Sequence, residues 1–177
     1  MRKLGILGIL LALACLMLTG MVFSEEAKQA EKKETPKHEY VGAGKCKLCH
    51  KAQYESWAET GHAKAFEKLS AEDQKKPECV KCHMTGVMAD GTVINNVECE
   101  ACHGPGSDFK SPKIMNKSKW AADPETYKGM AIEAGLIYPK EENCVRCHTK
   151  EGNPHFVPFD FAKRKTQVHV MNTEEGK

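Results

Sequence analysis

Cys99-Glu-Ala-Cys102-His103-Gly-Pro-Gly106 is the stretch on which the reading of this chain turns. It holds the third of four Cys-x-x-Cys-His runs. The others are Cys46-Lys-Leu-Cys49-His50, Cys79-Val-Lys-Cys82-His83 and Cys144-Val-Arg-Cys147-His148. In each, two thiols lie about one helical turn apart and an imidazole follows at once. Thiols so spaced can form thioethers with the two vinyl groups of a haem. The histidine then lies beneath the iron as its proximal ligand, which makes the run an attachment signal for c-type haem. One copy is a moderate signal, because so short a pattern recurs by chance. Four copies, using eight of the nine cysteines, form a strong one. Two four-thiolate zinc sites or a disulfide knot would also use paired cysteines. Neither gives a reason for a histidine after every pair.

Around these runs the chain divides into three parts. Residues 1–24 read as an export signal. Arg2 and Lys3 give a positive start, Leu4 to Phe23 is apolar apart from Thr19 and the glycines, and Val22 and Ser24 offer peptidase-compatible positions. The apolar run is also long enough to remain as an uncleaved anchor, and Cys15 after Ala12-Leu13-Ala14 is a third reading, a lipidation site. All three put the rest of the chain outside the cytoplasm, where c-type haem is attached. Residues 25–39 are charged with both signs and nearly free of apolar side chains, the composition of a flexible tether. Residues 40–177 form the expected haem-binding domain. The formal net charge of +2 comes from Arg2 and Lys3, so the exported chain is balanced and the haem propionates make it mildly negative. No basic block suggests nucleic acid. A mildly charged surface suits transient docking with redox partners. The membrane enters only if residues 1–24 are retained.

The histidines outside the four runs are the candidates for the sixth iron positions. After His50 a helical pattern runs to about Leu69, with a break possible at Gly61. Ala58, His62, Ala65, Phe66 and Leu69 fall on one face of it. A histidine in such a stripe is usually core, but four irons in want of ligands favour ligation for His62. His38 at the end of the charged stretch reads either as a solvated side chain or as a distal ligand. Ser70 resembles a helix N-cap. Asp90-Gly91 marks a small hairpin or loop between the second and third runs. Ser107 to Lys119 is polar apart from Ile114 and Met115, and Met115 is either a loop hydrophobe or a thioether ligand. Asp123-Pro124 starts a helix that Gly135 should end, with Met130, Ala131, Ala134 and Ile137 on its inner face. In the tail, His155 between two prolines is a loop residue or a ligand. A last helix over Lys163–Val170 carries His169, which its apolar neighbours favour as a ligand.

These pieces together resemble the cytochrome c-554 family of tetrahaem cytochromes c. The residues that carry the resemblance are Cys46-Lys-Leu-Cys49-His50-Lys-Ala-Gln, Ser56-Trp57, His62-Ala-Lys-Ala, the later three runs with Gly104-Pro-Gly, and Pro158-Phe159. The resemblance spans residues 40 to 170. It implies a mainly α, loop-rich multihaem cytochrome c fold, with haems in stacked pairs forming the core. It also implies that His62 serves the third haem and His169 the fourth, and that the second haem lacks a sixth protein ligand. The family's histidine beyond the glycine-proline-glycine turn falls here on Lys113, so Met115 stands in as ligand of the first haem.

With roughly 38 residues per haem once residues 1–24 are set aside, so small a polypeptide cannot bury much apolar side chain on its own. The expected protein is therefore a periplasmic electron carrier with four covalent haem c groups, whose apoprotein is largely unfolded. Two alternatives come from other classes. One is a small nitrogen-oxide or hydroxylamine-type redox enzyme, binding its small ligand at an open haem. The other is a subunit of an extracellular cytochrome filament. Intact mass of the exported protein should show four covalent haems; fewer, or bound zinc, contradicts the reading.

Overall fold

The computed structural model describes residues 38–171. The signal or anchor over residues 1–24 and the tether up to residue 37 lie outside the described residues. The described chain is a succession of short helices: α1 (Ala43–Lys47), α2 (Lys51–Ala58), α3 (Pro77–His83), α4 (Cys99–His103), α5 (Lys117–Ala122), α6 (Pro124–Glu133), α7 (Glu141–Val145) and α8 (Phe161–Arg164). Single 3-10 turns lie between α2 and α3 and after α8. Two strands, β1 (Met84–Val87) and β2 (Val93–Asn95), pair antiparallel with Gly86 opposite Ile94. The fold is mainly α and loop-rich, as the sequence implies.

Local chemistry explains most boundaries. The hairpin turns at Asp90-Gly91: the Asp90 carboxylate accepts from Thr92 N at 2.9 Å and Gly91 takes φ 86°. Helix α6 starts on Asp123, whose carboxylate accepts from Thr126 N, and ends before Gly135 at φ 97°. Ser70 Oγ accepts from Asp73 N, but the element that follows is a single 3-10 turn over Asp73–Lys75 whose N-cap is Glu72, so the expected Ser70-capped helix does not form.

Three expectations fail on tertiary grounds. The helix after His50 stops at Ala58, where Thr60 turns back onto the Trp57 carbonyl through both its amide and its hydroxyl. His62 therefore lies on a 3-10 turn and not on an α-helical stripe. Of the inner face expected for α6, only Ala131 is fully buried, while Met130 and Ile137 are exposed. The last helix ends at Arg164, and His169 follows it in a bend. Helix α5 is an addition that the sequence reading does not include. Its signal is Asn116, whose side chain accepts from Lys119 N.

Few apolar side chains are covered by protein. Among the described residues the buried ones are Ala43, Trp57, Ala65, Ile94, Phe109 and Ala131, and no large side chain is fully buried. A stretch this long normally covers about two thirds of its surface in folding. Polar bonds hold the elements together instead. Glu100, inside the third Cys-x-x-Cys-His run, is 2% exposed. Its carboxylate accepts from Val41 N at 3.0 and 3.1 Å, Gly42 N at 2.7 Å and Gly106 N at 2.6 Å. Glu98 adds Ala43 N at 2.7 Å. Together they fasten the start of α1 and the glycine-proline-glycine turn to α4.

Charge-assisted bonds to buried amides contribute about 1.5–3 kcal/mol each, and an orphaned buried donor costs about 1–3 kcal/mol. Glu100→Ala should therefore destabilise the haem-loaded protein by roughly 3 kcal/mol or more. Glu100→Gln should cost less, since it keeps one oxygen acceptor. Denaturant unfolding of the two variants checks the order, and a loss under about 1 kcal/mol for Glu100→Ala would mean that solvent replaces the carboxylate.

Candidate functional site

Each Cys-x-x-Cys-His run makes a helical turn. His50 N donates to the Cys46 carbonyl at 2.9 Å and His148 N to that of Cys144 at 3.0 Å. Helices α3 and α4 contain the second and third runs whole. The turn places both thiols of a run beside its imidazole, as thioether attachment needs.

The first and third runs, and the second and fourth, meet through their sulfurs, and Arg146 joins the fourth to the third. Cys46 and Cys99 are in hydrogen-bond contact, which lowers the Cys46 thiol and raises that of Cys99. Burial first, and then contact with Cys82, push the Cys147 thiol up to about 12. Cys102 is raised by burial and by nearby Cys144, and Arg146 Nη2 donates to the Ala101 carbonyl at 3.1 Å. The runs thus adjoin in the order first, third, fourth, second.

The imidazoles stand as iron ligands would. Two imidazoles bound on opposite sides of one first-row metal, at about 2 Å each, have ring centroids roughly 6 Å apart. His62 and His148 are 6.0 Å apart, and His103 and His169 are 6.2 Å apart. Burial lowers the pKa of both His62 and His148, which leaves each ring neutral with a lone pair to give. His148 is also stacked on Phe159 at 4.6 Å. Several rings have Nδ1 committed to an oxygen that can only accept: His83 to the Ala65 carbonyl at 2.6 Å, His103 to that of Ile137 at 3.2 Å and His169 to that of Val170 at 2.8 Å. His83 and His169 therefore carry the proton on Nδ1, the usual arrangement of a histidine that ligates through Nε2.

These pairs cross the expected assignment. His62 faces the fourth run's histidine, not the third's, and His169 faces the third's, not the fourth's. The backbone explains the exchange. Val170 N donates to Ser56 Oγ on α2, which draws His169 back toward the first and third runs. The segment after His62 instead holds His83 through Ala65, and His83 belongs to the run whose Cys82 touches Cys147. Val97 N fixes the His62 carbonyl at 3.1 Å, and Trp57 Nε1 fixes the Val97 carbonyl at 2.9 Å. Met115 lies in the turn before α5, its amide donating to the Ser111 carbonyl. His155 is exposed in the tail, in the neighbourhood of Asp73.

The residues present fit haem on two counts: imidazoles spaced for a shared iron, and a fold whose protein core is too small without added apolar mass. The arrangement is that of a multihaem c-type cytochrome. A family described as cytochrome c554 and c-prime matches residues 45–104. Cytochrome c-554 of Nitrosomonas europaea is 30% identical over 172 aligned positions, covering 80% of this chain and 70% of the relative. A solved structure of reduced cytochrome c554 from Nitrosomonas europaea has the same fold. Its TM-score is 0.57 at 24% identity, over 76% of this chain and 85% of that one. The chain belongs to the cytochrome c-554 family, as a c-type cytochrome that carries electrons on four covalently attached haem c groups.

If His62 and His148 hold one iron, two changes far apart in sequence act on one spectroscopic signal. In the oxidised protein, His62→Ala should convert one low-spin haem to high spin, and Phe159→Leu should shift that same low-spin signal. His169→Ala should remove a different one. Paramagnetic resonance of the three variants checks this, and effects of His62→Ala and Phe159→Leu on separate haems would contradict the pairing.

Proposed function

We propose that this cytochrome passes electrons between redox partner proteins outside the cytoplasm, along a relay whose attachment points run first, third, fourth, second. The observation that carries the reading is the adjacency of the runs: Cys46 meets Cys99, Arg146 Nη2 of the fourth run donates to the Ala101 carbonyl of the third, and Cys147 meets Cys82. Cys46, Cys49, Cys79, Cys82, Cys99, Cys102, Cys144 and Cys147 hold the haems, and His50, His83, His103 and His148 are the proximal ligands. When bound, the haems supply one-electron chemistry at potentials that the axial ligands and surroundings tune. The polypeptide fixes spacing and ligation. His62 and His169 complete the fourth and third sites, and carbonyl bonds to Nδ1 hold His83 and His169 in the ligating tautomer.

Export through residues 1–24 places the protein in the periplasm. Among the described residues no helix is long and apolar enough to cross a membrane. The partners are proteins that dock transiently on a mildly charged surface. The second site keeps its sixth position open, which is supported by the exposure of His155 and by the family resemblance. Carbon monoxide added to the reduced protein should bind one haem per chain, and that haem should lie on the tryptic peptide containing Cys79 and Cys82. No binding would make the protein a closed conduit; binding on another peptide would move the open position.

A further inference from the structure

We propose that His38 is the sixth ligand of the first haem, held in place by Asp108, and that Met115 is not. The inference rests on the four-haem reading above. His38 Nδ1 lies 2.6 Å from Asp108 Oδ2, and its side chain is 17% exposed. The carboxylate accepts, so Nδ1 carries the proton and Nε2 keeps its lone pair. A carboxylate on the far nitrogen is the usual partner of a metal-bound imidazole and raises its basicity. Two backbone bonds lock the histidine into the fold. Glu39 N donates to Ser107 Oγ, and Ser107 N to the Glu39 carbonyl, both at 3.0 Å. The ring lies against Gly135, where an added Cβ would come within 2.7 Å of Cδ2. Such anchoring exceeds what a solvated side chain in a charged stretch requires.

Position selects the iron. The third and fourth irons are bracketed by His103 with His169 and by His148 with His62. The second run adjoins the fourth through Cys82 and Cys147. His38 sits at the opposite end. Its neighbour Gly135 packs against Gly104, directly after His103, and its partner Asp108 follows the glycine-proline-glycine turn of the third run. That is the end where Cys46 of the first run touches Cys99. The resemblance lets the family's histidine fall on Lys113, in this same loop. Here the loop supplies Asp108 instead, and the imidazole comes from the strand of chain before the first run.

The test uses the haem-loaded protein and four variants. Wild type should show no methionine–iron charge-transfer band in the near infrared, and Met115→Leu should leave its spectrum unchanged. His38→Ala should turn one low-spin haem high spin and raise carbon monoxide binding from one to two per chain. His38→Met should add the methionine–iron band, a gain that a merely structural His38–Asp108 ion pair would not give. Asp108→Asn should keep the haem low spin and raise its midpoint potential. A wild-type methionine band that Met115→Leu abolishes overturns the assignment, as does an unchanged spectrum in His38→Ala. Intact mass separates the two levels: four haems with an indifferent His38 sink only this inference, whereas fewer than four sink the reading beneath it.

Discussion

The Glu100 carboxylate is the constraint on which the arrangement of the first and third runs depends. It lies between Cys99 and Cys102 and is therefore carried wherever that pair of thiols goes. By accepting from Val41, Gly42 and Gly106 it ties the entry to the first run and the exit from the third to one buried charge. A buried carboxylate is costly unless its lone pairs are filled, and these amides fill them. The cost of losing any one partner makes the geometry all-or-none. The same clamp brings the segment before Val41, and His38 with it, alongside Ser107 and Asp108.

The rest of the fold is held in a similar way. Where larger domains align elements by packing apolar faces, this one uses single directed bonds from side chains to backbone. Trp57 reaches Val97, Thr85 holds Asn96, Asn96 holds Phe66 N, and Ser56 holds Val170 N. Such bonds fix position without demanding volume. They leave exposed Leu48, Ile132, Ile137 and Val157 and similar side chains that a polypeptide core would have absorbed. Four porphyrins are large, flat and apolar, and they supply the mass that the side chains lack.

Much of this is legible in the residues, and the limits are physical. The four runs, the Asp90-Gly91 hairpin and the Asp123-to-Gly135 helix are local signals, and each is where its residues put it. The apolar helical stripe expected through His62 does not form. Periodicity cannot see Thr60 folding back onto Trp57 and ending the helix. The partners of His62 and His169 are beyond the sequence, because they depend on long-range bonds such as Val170 N to Ser56 Oγ. Glu100 occupies a variable position of its motif and carries no sequence mark of burial. His38 stays ambiguous in the sequence because composition describes the charge around a residue and not the loop that comes to meet it.

The touching sulfurs also bear on assembly. Cys46 and Cys99 are 53 positions apart in the chain, and Cys82 and Cys147 are 65, yet each pair meets in the folded protein. A chain that folded before loading would set thiols of different runs side by side, where an oxidant would join them and close both runs to haem. The scarcity of protein-only core works against that outcome. If a polypeptide with so small a core stays open without porphyrin, its cysteines remain separate and reachable until each has been capped as a thioether. Weak folding of the bare chain is in this sense a maturation safeguard: the order of events, attachment before collapse, is written into how little the polypeptide can bury alone.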